Sequence, residues 1–463
     1  MPFATVVILA AGRGTRMRSA TPKLAHDLCG RPLLGWPIAA AREAGALRTV
    51  VVVGSDGPPV DPLGEGVELA VQERPLGTAD AVAAAAPLIA REGVVVVLAG
   101  DVPLIEPAML HELVGAQEGA GAAATVLTTV LEDPRGYGRI VRDARGEVAR
   151  IVETKVAGDA TGEELAIREV NTSIYAFDGG ALLDALPEVG SANEQGERYL
   201  TDVIAILRSR GAAVAAHPVE DPAVVLGVND RVALAAVRAE AQRRIQERHM
   251  LAGVTIVQPA STSIDVDVVI GEDTVIEPCT QLRGATRIGA RSTIGPHATV
   301  IDARIGDGVS VVHSHLVSCE LREGATVGPF AYLRPDALLR ERAKVGTFVE
   351  VKNADIGEGA KVPHLSYVGD AQIGERTNLG AGTITANYDG VAKHRTTIGA
   401  RVHGGVHTSF VAPVSVGDDA WTAAGSVVTA DVPEGALAVA RARQRNVERY
   451  AERRRVVDPR SAP

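Results

Sequence analysis

Cysteine is scarce in this sequence. Only Cys29, Cys279 and Cys319 occur among the 463 residues, and they lie far apart. Such spacing provides neither a disulfide framework nor a zinc motif of the C-x-x-C type. We therefore expect all three cysteines to be small, reduced residues of the core.

An excess of basic charge and a long apolar run are also missing. The net charge is −10 and the pI is near 5.6, whereas nucleic acids and membrane surfaces are bound by a basic footprint. The apolar run in the opening MPFATVVILAAGRGTRM is too short for a signal peptide or a membrane span. We predict a cytoplasmic protein that binds neither nucleic acid nor membrane, and small anions remain candidate ligands.

What is present is a globular composition, with 46% hydrophobic and 22% charged residues. From residue 1 to 228, the runs TVVIL, TVVVVG, VVVVLAGD and AATVLTTV alternate with helical patterns over 33–44, 78–90 and 107–116. Apolar runs bounded by turn residues are typical of strands buried on both faces. The alternation predicts an α/β, Rossmann-like domain with a mainly parallel sheet, in which ligands bind beyond the carboxyl ends of the strands.

Residues 229–252 have a helical pattern and form the predicted linker to a second domain, 253–463. From residue 264 the sequence can be divided into sixes such as IGEDTV and IGARST. Three pairs of apolar residues stand 18 residues apart: Ile270 and Ile288, Val327 and Val345, and Ile398 and Val416. A short fixed period predicts a parallel β-helix of hexapeptide repeats. Residues 385–397 interrupt it as a polar excursion, and the Arg- and Pro-rich tail is expected to be disordered.

The motif LAAGRGTRM, residues 9–17, directly follows the first predicted strand. It is neither G-x-G-x-x-G nor a Walker A loop, but Gly12 and Gly14 permit close backbone approach, and Arg13, Arg16 and Lys23 supply positive charge. We interpret it as a phosphate-binding loop; an ordinary βα turn with solvated arginines is the alternative. Asp101, at the end of VVVVLAGD, is a candidate Mg²⁺ ligand, or else the cap of a turn.

The repeat half carries polar residues that packing does not explain. Arg334 and Lys352 are 18 residues apart, so they should stack on one side of the β-helix, where an anion such as a sugar phosphate would relieve their repulsion. His364 should lie on another side of a nearby coil. Taken singly, each of these residues fits a solvated face, so the cluster carries the functional interpretation.

Many ordered motifs resemble those of a known family. They are LAAGRGTRM, PKLAH (22–26), QERPLGTADA (72–81), AGDVPL, GYGRI (136–140), IVETK (151–155), EVNTSIYAF (169–177) and GVNDR (227–231). These motifs resemble the sugar-nucleotide pyrophosphorylases. With the hexapeptide half joined on, nearly the whole chain resembles the bacterial bifunctional N-acetylglucosamine-1-phosphate uridyltransferases/glucosamine-1-phosphate acetyltransferases, whose β-helix is left-handed and forms a homotrimer.

The resemblance implies a uridylyl-transfer site in the first half. Arg16 and Lys23 would neutralise UTP, and Asp101 with Asn229 would bind Mg²⁺. The residues implied to contact nucleotide or sugar are Leu9, Ala10, Ala11, Gly12, Gln72, Gly77, Thr78, Gly138, Glu153, Asn171 and Asn229.

The resemblance implies an acetyl-transfer site in the second half. His364 would be the general base, because an imidazole with the ordinary pKa of about 6.5 can take a proton at neutral pH. The residues implied for glucosamine 1-phosphate and the reacting groups are Arg334, Lys352, Tyr367, Asn378, Asn387 and Tyr388. Those implied for acetyl-CoA are Ala381, Val406, Ala424 and Arg441.

Four positions, Ala99, Asp80, Val406 and His407, depart from the family. Ala99 stands where some members have Tyr, and Asp80 stands where His is frequent. Val406 replaces the usual Ser, since GVHT occupies 405–408 in place of Gly-Ser-Asp-Thr. Loss of one hydroxyl contact costs about 0.5–1.5 kcal/mol, which predicts weaker acetyl-CoA binding.

We therefore expect an enzyme that acetylates glucosamine 1-phosphate and then uridylylates the product to UDP-N-acetylglucosamine, a precursor of peptidoglycan. Two alternatives stay open at this point. One is a single-activity sugar-1-phosphate nucleotidyltransferase with a structural β-helix. The other is a non-catalytic protein that senses nucleotide through its glycine loop.

Overall fold

The computed structural model describes residues 5–12, 14–60, 63–154, 160–191, 193 and 195–455. Arg13, Lys155 of the IVETK motif and the tail residues 456–463 lie outside the described residues. The chain divides between Ile245 and Gln246 into two compact units.

The first unit contains strands and helices in alternation. Its strands are β1 Thr5–Leu9, β2 Asp27–Leu28, β3 Arg31–Pro32, β4 Thr49–Gly54, β5 Val67–Gln72, β6 Val94–Ala99, β7 Ala124–Val130, β8 Arg139–Arg142, β9 Val148–Val152, β10 Glu169–Asp178 and β11 Val214–Pro218. Its helices are α1 Gly35–Glu43, α2 Thr78–Ala85, α3 Pro107–Ala120, α4 Gly162–Leu165, α5 Gly179–Ala185 and α6 Thr201–Ser209.

The main sheet has the strand order β11-β7-β10-β6-β1-β4-β5, with β8 and β9 attached through β10. Strands β6, β1, β4 and β5 are parallel, which confirms the predicted α/β class. Strand β10 is antiparallel to both β6 and β7, so the sheet is mixed. Strand β1 lies between β4 and β6, and the chain order reverses between β1 and β6. In doubly wound sheets a ligand crevice opens at that point.

Two helix boundaries differ from the prediction for physical reasons. Helix α2 ends at Ala85 and continues only as a 3₁₀ turn over Ala86–Leu88, because Pro87 has no backbone N–H for an α-helical bond. Helix α3 runs on to Ala120 and ends at Gly121 in the left-handed region.

Helix α7, Arg231–Leu251, precedes the strands of the second unit. These are β12 Thr255–Ile256, β13 Ser263–Ile264, β14 Val269–Ile270, β15 Val275–Ile276, β16 Gln281–Arg283, β17 Arg287–Ile288, β18 Thr293–Ile294, β19 Thr299–Ile301, β20 Arg304–Ile305, β21 Ser310–Val311, β22 His315–Val317, β23 Glu320–Leu321, β24 Thr326–Val327, β25 Tyr332–Leu333, β26 Leu338–Leu339, β27 Lys344–Thr347, β28 Glu350–Ile356, β29 Lys361–His364, β30 Tyr367–Ile373, β31 Ile384–Ala386, β32 Thr396–Ile398, β33 Ser409–Val411, β34 Val414–Val416, β35 Trp421–Thr422, β36 Val427–Val428 and β37 Leu437–Ala438. A short helix, α8 Tyr450–Arg455, follows.

The second unit is a parallel β-helix, as predicted. Ile270 pairs with Ile288, Val327 with Val345, and Ile398 with Val416, each one coil of 18 residues apart. Apolar residues such as Val300 and Val351 are fully buried on the axis. Between Ile384 and Ser409, which pair with each other, the chain makes one longer coil. The excursion predicted at 385–397 is this longer coil.

Two of the three cysteines follow the prediction, since Cys29 and Cys319 are buried. Cys279 is exposed, and the prediction for it was wrong. Its φ is 60°, as at other corners of the coil, and the corner position directs its side chain outward. No helix in the described part of the chain combines the length and apolar character needed to cross a bilayer.

Candidate active sites

The glycine loop follows β1 at the edge where the sheet order reverses. Ala10 N donates to Val52 O, which continues the sheet by one residue. Gly14 has φ +59°, and a Cβ there would overlap the Lys23 side chain. Gly12 is exposed, with no atom near the place a Cβ would occupy. Gly14 thus lets Lys23 pack against the loop, while Gly12 leaves its backbone open to a ligand.

Four of the predicted phosphate and metal residues form two hydrogen-bonded pairs. Lys23 Nζ lies 2.6 Å from Asp101 Oδ2, and Arg16 Nη2 donates to Asn229 Oδ1 at 2.8 Å. Val228 N donates to Asp101 O at 2.8 Å, so the segment that carries Asn229 is tied to the end of β6. The structure therefore brings two cations, a carboxylate and an amide oxygen to the same sheet edge.

The oxygens of Asp101 and Asn229 are a donor set that fits Mg²⁺. This ion is usually held by one or two carboxylate-type oxygens and completes its shell with water and substrate phosphates. No group of three or more His, Cys, Asp or Glu side chains among the described residues is arranged to hold a metal ion, so water and substrate phosphates would complete the shell.

The predicted uracil residues meet at the start of α2. Gln72 Nε2 donates to Gly77 O at 3.0 Å, and Thr78 Oγ1 accepts from Leu200 N at 2.9 Å. Gly77 has φ +112°, and a Cβ there would overlap the backbone of Arg198. Glycine is therefore required at position 77, where two chain segments touch.

The predicted sugar residues Gly138 and Asn171 are bonded through the backbone, with Asn171 N donating to Gly138 O at 2.9 Å. Asn171 Nδ2 donates to Tyr175 Oη at 2.7 Å. Burial, and secondly the charge of Glu153, raises the pKa of Tyr175. Glu153 Oε1 in turn accepts from Thr201 Oγ1 at 3.4 Å. Asn229, also predicted here, is bonded to Arg16 instead.

Sequence reasoning missed two residues around this pocket. Burial and then the charge of Asp101 raise the pKa of Tyr137, whose Oη donates to Val225 O at 3.4 Å. Arg139 is 2% exposed, and its Nη1 donates to Pro134 O at 2.6 Å and to Tyr137 O. Burial lowers the pKa of Arg139. The available signal was the motif GYGRI, which contains both residues.

In the second unit, the predicted stacking of Arg334 on Lys352 follows from the strand register. Leu333 pairs with Val351, and Arg334 N donates to Val351 O at 2.9 Å. Arg334 has an anionic partner within the chain, because its Nη1 lies 2.9 Å from Glu350 Oε1. The hydrogen bond from Arg334 to Glu350 raises the pKa of the guanidinium.

Lys352 belongs to a charge cluster with Lys393 and Asn387, two residues that also stand out in the sequence as polar and out of place, but sequence reasoning missed its central carboxylate, Asp370. The neighbouring Lys393 has a lowered pKa, first because of the hydrogen bond to Lys352 and its charge. The side chains of Asn353 and Asn387 both donate to the carboxylate of Asp370, the former at 2.6 Å. Burial raises the pKa of Asp370, but these two donors and the two lysines outweigh it, and the pKa is held below its ordinary value.

The loop after β31 is a small hairpin that borders this cluster. Tyr388 and Lys393 form an antiparallel bridge, and His394 N donates to Asn387 O at 2.8 Å. Asn387 is 8% exposed, and its Nδ2 also reaches Tyr367 Oη at 3.4 Å. The hairpin therefore brings Asn387 to Tyr367 and Asp370, while Tyr388 is exposed.

His364 shares one column of the β-helix with the residues predicted for acetyl-CoA. Gly382 N donates to His364 O, His407 N to Ala381 O, and Gly425 N to Val406 O. In a parallel ladder these bonds align His364, Ala381, Val406 and Ala424 on successive coils. The exposed imidazole thus stands at one end of a row of small or apolar residues.

The remaining predicted residues flank this column. The Arg441 side chain lies over Gly425, since a Cβ there would be 3.8 Å from Arg441 Cδ. Asn378 lies in a neighbouring column, bridged to Lys361 and His403. Among the predicted acetyl-transfer residues, the structure brings Tyr367 into contact with Asn387. It also aligns His364 in one column with Ala381, Val406 and Ala424. Lys352 lies on β28 and Arg334 directly follows β25, and these two strands belong to a different sheet from β29, which carries His364.

Known families match both units. Residues 6–251 match the MobA-like NTP transferase domain, and residues 267–302 match the bacterial transferase hexapeptide (six repeats). The chain is 52% identical to the bifunctional protein GlmU of Mycolicibacterium vanbaalenii, over 98% of this chain and 94% of that protein. It is 51% identical to the bifunctional protein GlmU of Mycobacterium tuberculosis H37Ra, over 98% of this chain and 93% of that protein.

Proposed function

This chain belongs to the family of bifunctional GlmU proteins. We propose which of its residues carry out each of the two steps that make UDP-N-acetylglucosamine. An acetyl group passes from acetyl-CoA to glucosamine 1-phosphate, and a uridylyl group then passes from UTP to N-acetylglucosamine 1-phosphate with release of pyrophosphate. The product supplies peptidoglycan synthesis in the cytoplasm. Residues 1–228 carry uridylyl transfer, residues 253–463 carry acetyl transfer, and residues 229–252 link the two.

The acetyl-transfer proposal rests on one observation, the column that aligns His364 with Ala381, Val406 and Ala424. The neutral imidazole takes a proton from the substrate amine as its nitrogen bonds to the thioester carbonyl carbon. The carbon–sulfur bond then breaks, and coenzyme A leaves as the thiol. Arg441 binds the coenzyme beside this column.

The charge cluster around Lys352, together with Arg334, binds glucosamine 1-phosphate. Arg334 and Lys352 face the phosphate, and Tyr367 and Asn378 hold the sugar. Asn387 and Tyr388, at the base of the hairpin, border the reacting groups. Asp370 is a positioning residue, because it fixes Asn387 and lies beside Lys352.

In uridylyl transfer, a phosphate oxygen of the sugar attacks the α-phosphorus of UTP, and the bond to the β-phosphate breaks. Backbone groups of Leu9, Ala10, Ala11 and Gly12 hold the nucleotide, and Gln72, Gly77 and Thr78 read uracil. Arg16 and Lys23 neutralise the phosphates, while Gly138, Glu153 and Asn171 line the sugar pocket. Alignment and charge neutralisation carry most of the catalysis.

Asp101 and Asn229 would hold Mg²⁺, which supplies neutralisation of phosphate charge when bound. Both oxygens are within hydrogen-bonding distance of a cationic side chain, so Lys23 and Arg16 are placed to exchange carboxylate and amide partners for substrate phosphates.

We propose a homotrimer, supported by an exposed aromatic ladder at one corner of the β-helix. The rings of His297, His313, Phe330 and Phe348 stand on successive coils, with centroids 5.0, 4.5 and 5.2 Å apart. Phe348 is 58% exposed, and Leu365 of the next coil is 62% exposed. Contiguous exposed apolar surface is typical of protein interfaces. Leu365 adjoins His364, so a neighbouring copy would complete the acetyl-transfer cleft.

The assignment of the base is tested with His364→Ala. In this variant the rate of coenzyme A thiol release should fall by about 10²-fold or more. Its release of pyrophosphate from UTP and N-acetylglucosamine 1-phosphate should be unchanged. Normal thiol release would exclude His364 as the base. Phe348→Asp tests the interface, and an unaltered sedimentation coefficient would contradict it.

A further inference from the structure

Asp80 lies next to the side-chain amide of Gln72, the residue proposed to read uracil. Its Oδ2 accepts a hydrogen bond from Gln72 Nε2 at 2.9 Å. The same Nε2 also donates to Gly77 O at 3.0 Å. Both side-chain hydrogen bonds of Gln72 within the described residues therefore run through its nitrogen.

These two contacts define which way the amide faces. Gly77 O and Asp80 Oδ2 are both acceptors, and a carboxamide presents two N–H donors on one side and an acceptor oxygen on the other. The reverse orientation would set Gln72 Oε1 against two other oxygens. The carboxylate of Asp80 thus holds Gln72 Nε2 toward Gly77 O and Asp80 Oδ2, and Oε1 remains to meet a ligand.

Asp80 is itself held from the other side. Arg198 Nη1 lies 3.5 Å from Asp80 Oδ1, and both side chains are about one quarter exposed or less. Arg198 is anchored by donation to Leu186 O at 2.7 Å and to Val189 O at 3.0 Å. Gln72 is only 6% exposed. The chain of contacts from Arg198 through Asp80 to Gln72 gives the amide one fixed orientation.

We propose that Asp80 is a positioning residue that sets the base specificity of uridylyl transfer. The inference rests on the proposed role of Gln72 in reading uracil. An amide oxygen accepts from the N3–H of uracil, whereas N3 of cytosine carries a lone pair and no hydrogen. With the amide fixed by Asp80, Gln72 Oε1 accepts a hydrogen bond from N3–H of the uracil in UTP. In CTP the same oxygen would face the lone pair of cytosine N3, which is repulsive.

The test measures kcat/KM for UTP and for CTP, with N-acetylglucosamine 1-phosphate and Mg²⁺, through pyrophosphate release. Asp80→Ala removes the carboxylate, so the Gln72 amide can turn and donate to cytosine N3. The ratio of kcat/KM for UTP over CTP should fall about tenfold or more, through KM rather than kcat. Asp80→Asn can still present an oxygen to Nε2 and should keep the ratio within about threefold of the native value.

A matched control is Glu68→Ala, because Glu68 lies on β5, the strand that carries Gln72. It removes a carboxylate that lies 2.7 Å from Arg48 and leaves Gln72 untouched. This control should retain the native UTP/CTP ratio. A merely structural role for Asp80 would lower turnover of UTP and CTP alike and leave their ratio constant. Asp80→Ser serves in place of Asp80→Ala if that protein does not fold.

A native ratio in Asp80→Ala would overturn the inference. So would an equal fall in Asp80→Ala and Asp80→Asn, because that result would assign the effect to charge rather than to orientation of the amide. Native protein that does not turn over UTP at all would instead refute the proposed uridylyl transfer. The two failures are therefore distinguishable in the same assay.

Discussion

Replacing Asp370 by Asn should impair acetyl transfer and leave uridylyl transfer intact. Asp370 is 8% exposed and accepts hydrogen bonds from the side chains of both Asn353 and Asn387. Asn has the same shape but only one acceptor oxygen. In Asp370→Asn, one of the two donors would face an N–H, and Lys352 and Lys393 would lose the charge between them.

The size of the effect follows from the kind of bond that is lost. A hydrogen bond to a charged, buried group contributes about 1.5–3 kcal/mol. If the loss falls on Asn387 and Lys352 in the site, kcat/KM for glucosamine 1-phosphate should drop about 10- to 150-fold. The KM for glucosamine 1-phosphate should rise, since Lys352 faces the substrate phosphate.

The assay follows release of coenzyme A thiol, and pyrophosphate release in the same preparation is the internal control. Asp355→Asn is the matched control variant, because Asp355 lies on the same strand, β28, as Lys352 and pairs with the exposed Arg340 at 2.7 Å. It should leave both reactions unchanged. Native thiol release by Asp370→Asn would refute the positioning role of this carboxylate.

Three further predictions concern other parts of the chain. Lys23→Met should lower pyrophosphate release about 10²-fold, because a phosphate-neutralising cation is lost, with thiol release unchanged; equal effects on both would contradict the assignment. Val406→Ser should lower the KM for acetyl-CoA about 2- to 10-fold by restoring a hydroxyl contact, and an unchanged KM would remove this position from the coenzyme site. Burial, then Arg248, lowers the pKa of His249 from 6.5 to about 4, so the folded state binds fewer protons than the unfolded state below pH 6.5. Stability should therefore be full above pH 6.5 and fall by about 2 kcal/mol at pH 5, and urea unfolding of His249→Leu should lack this loss.

Much of the fold could be predicted from spacing. Strands β1, β4 and β6 are apolar on both faces, and the 18-residue pairs fix the register of the β-helix. The direction of β10 could not be predicted, because a strand buried on both faces has the same pattern whether it runs parallel or antiparallel. The positions of the β-helix corners were not predicted either, and Cys279, expected in the core, is exposed at one of them.

The candidate sites were predictable where a motif or a repeat carried them. Lys23 and Asp101 stand 78 residues apart, and only the motifs placed both at one sheet edge. Asp370 could not be found this way, since its importance depends on Asn353 and Asn387, each 17 residues away on adjacent coils. The orientation of the Gln72 amide likewise follows from contacts rather than from residue type.

The central claim is that one chain performs both transfers. Purified protein should be incubated with glucosamine 1-phosphate, acetyl-CoA, UTP and Mg²⁺, and the free thiol and pyrophosphate measured together. We predict release of both, with pyrophosphate depending on prior acetylation and UDP-N-acetylglucosamine as the product. Release of neither, or pyrophosphate without thiol, would contradict the account.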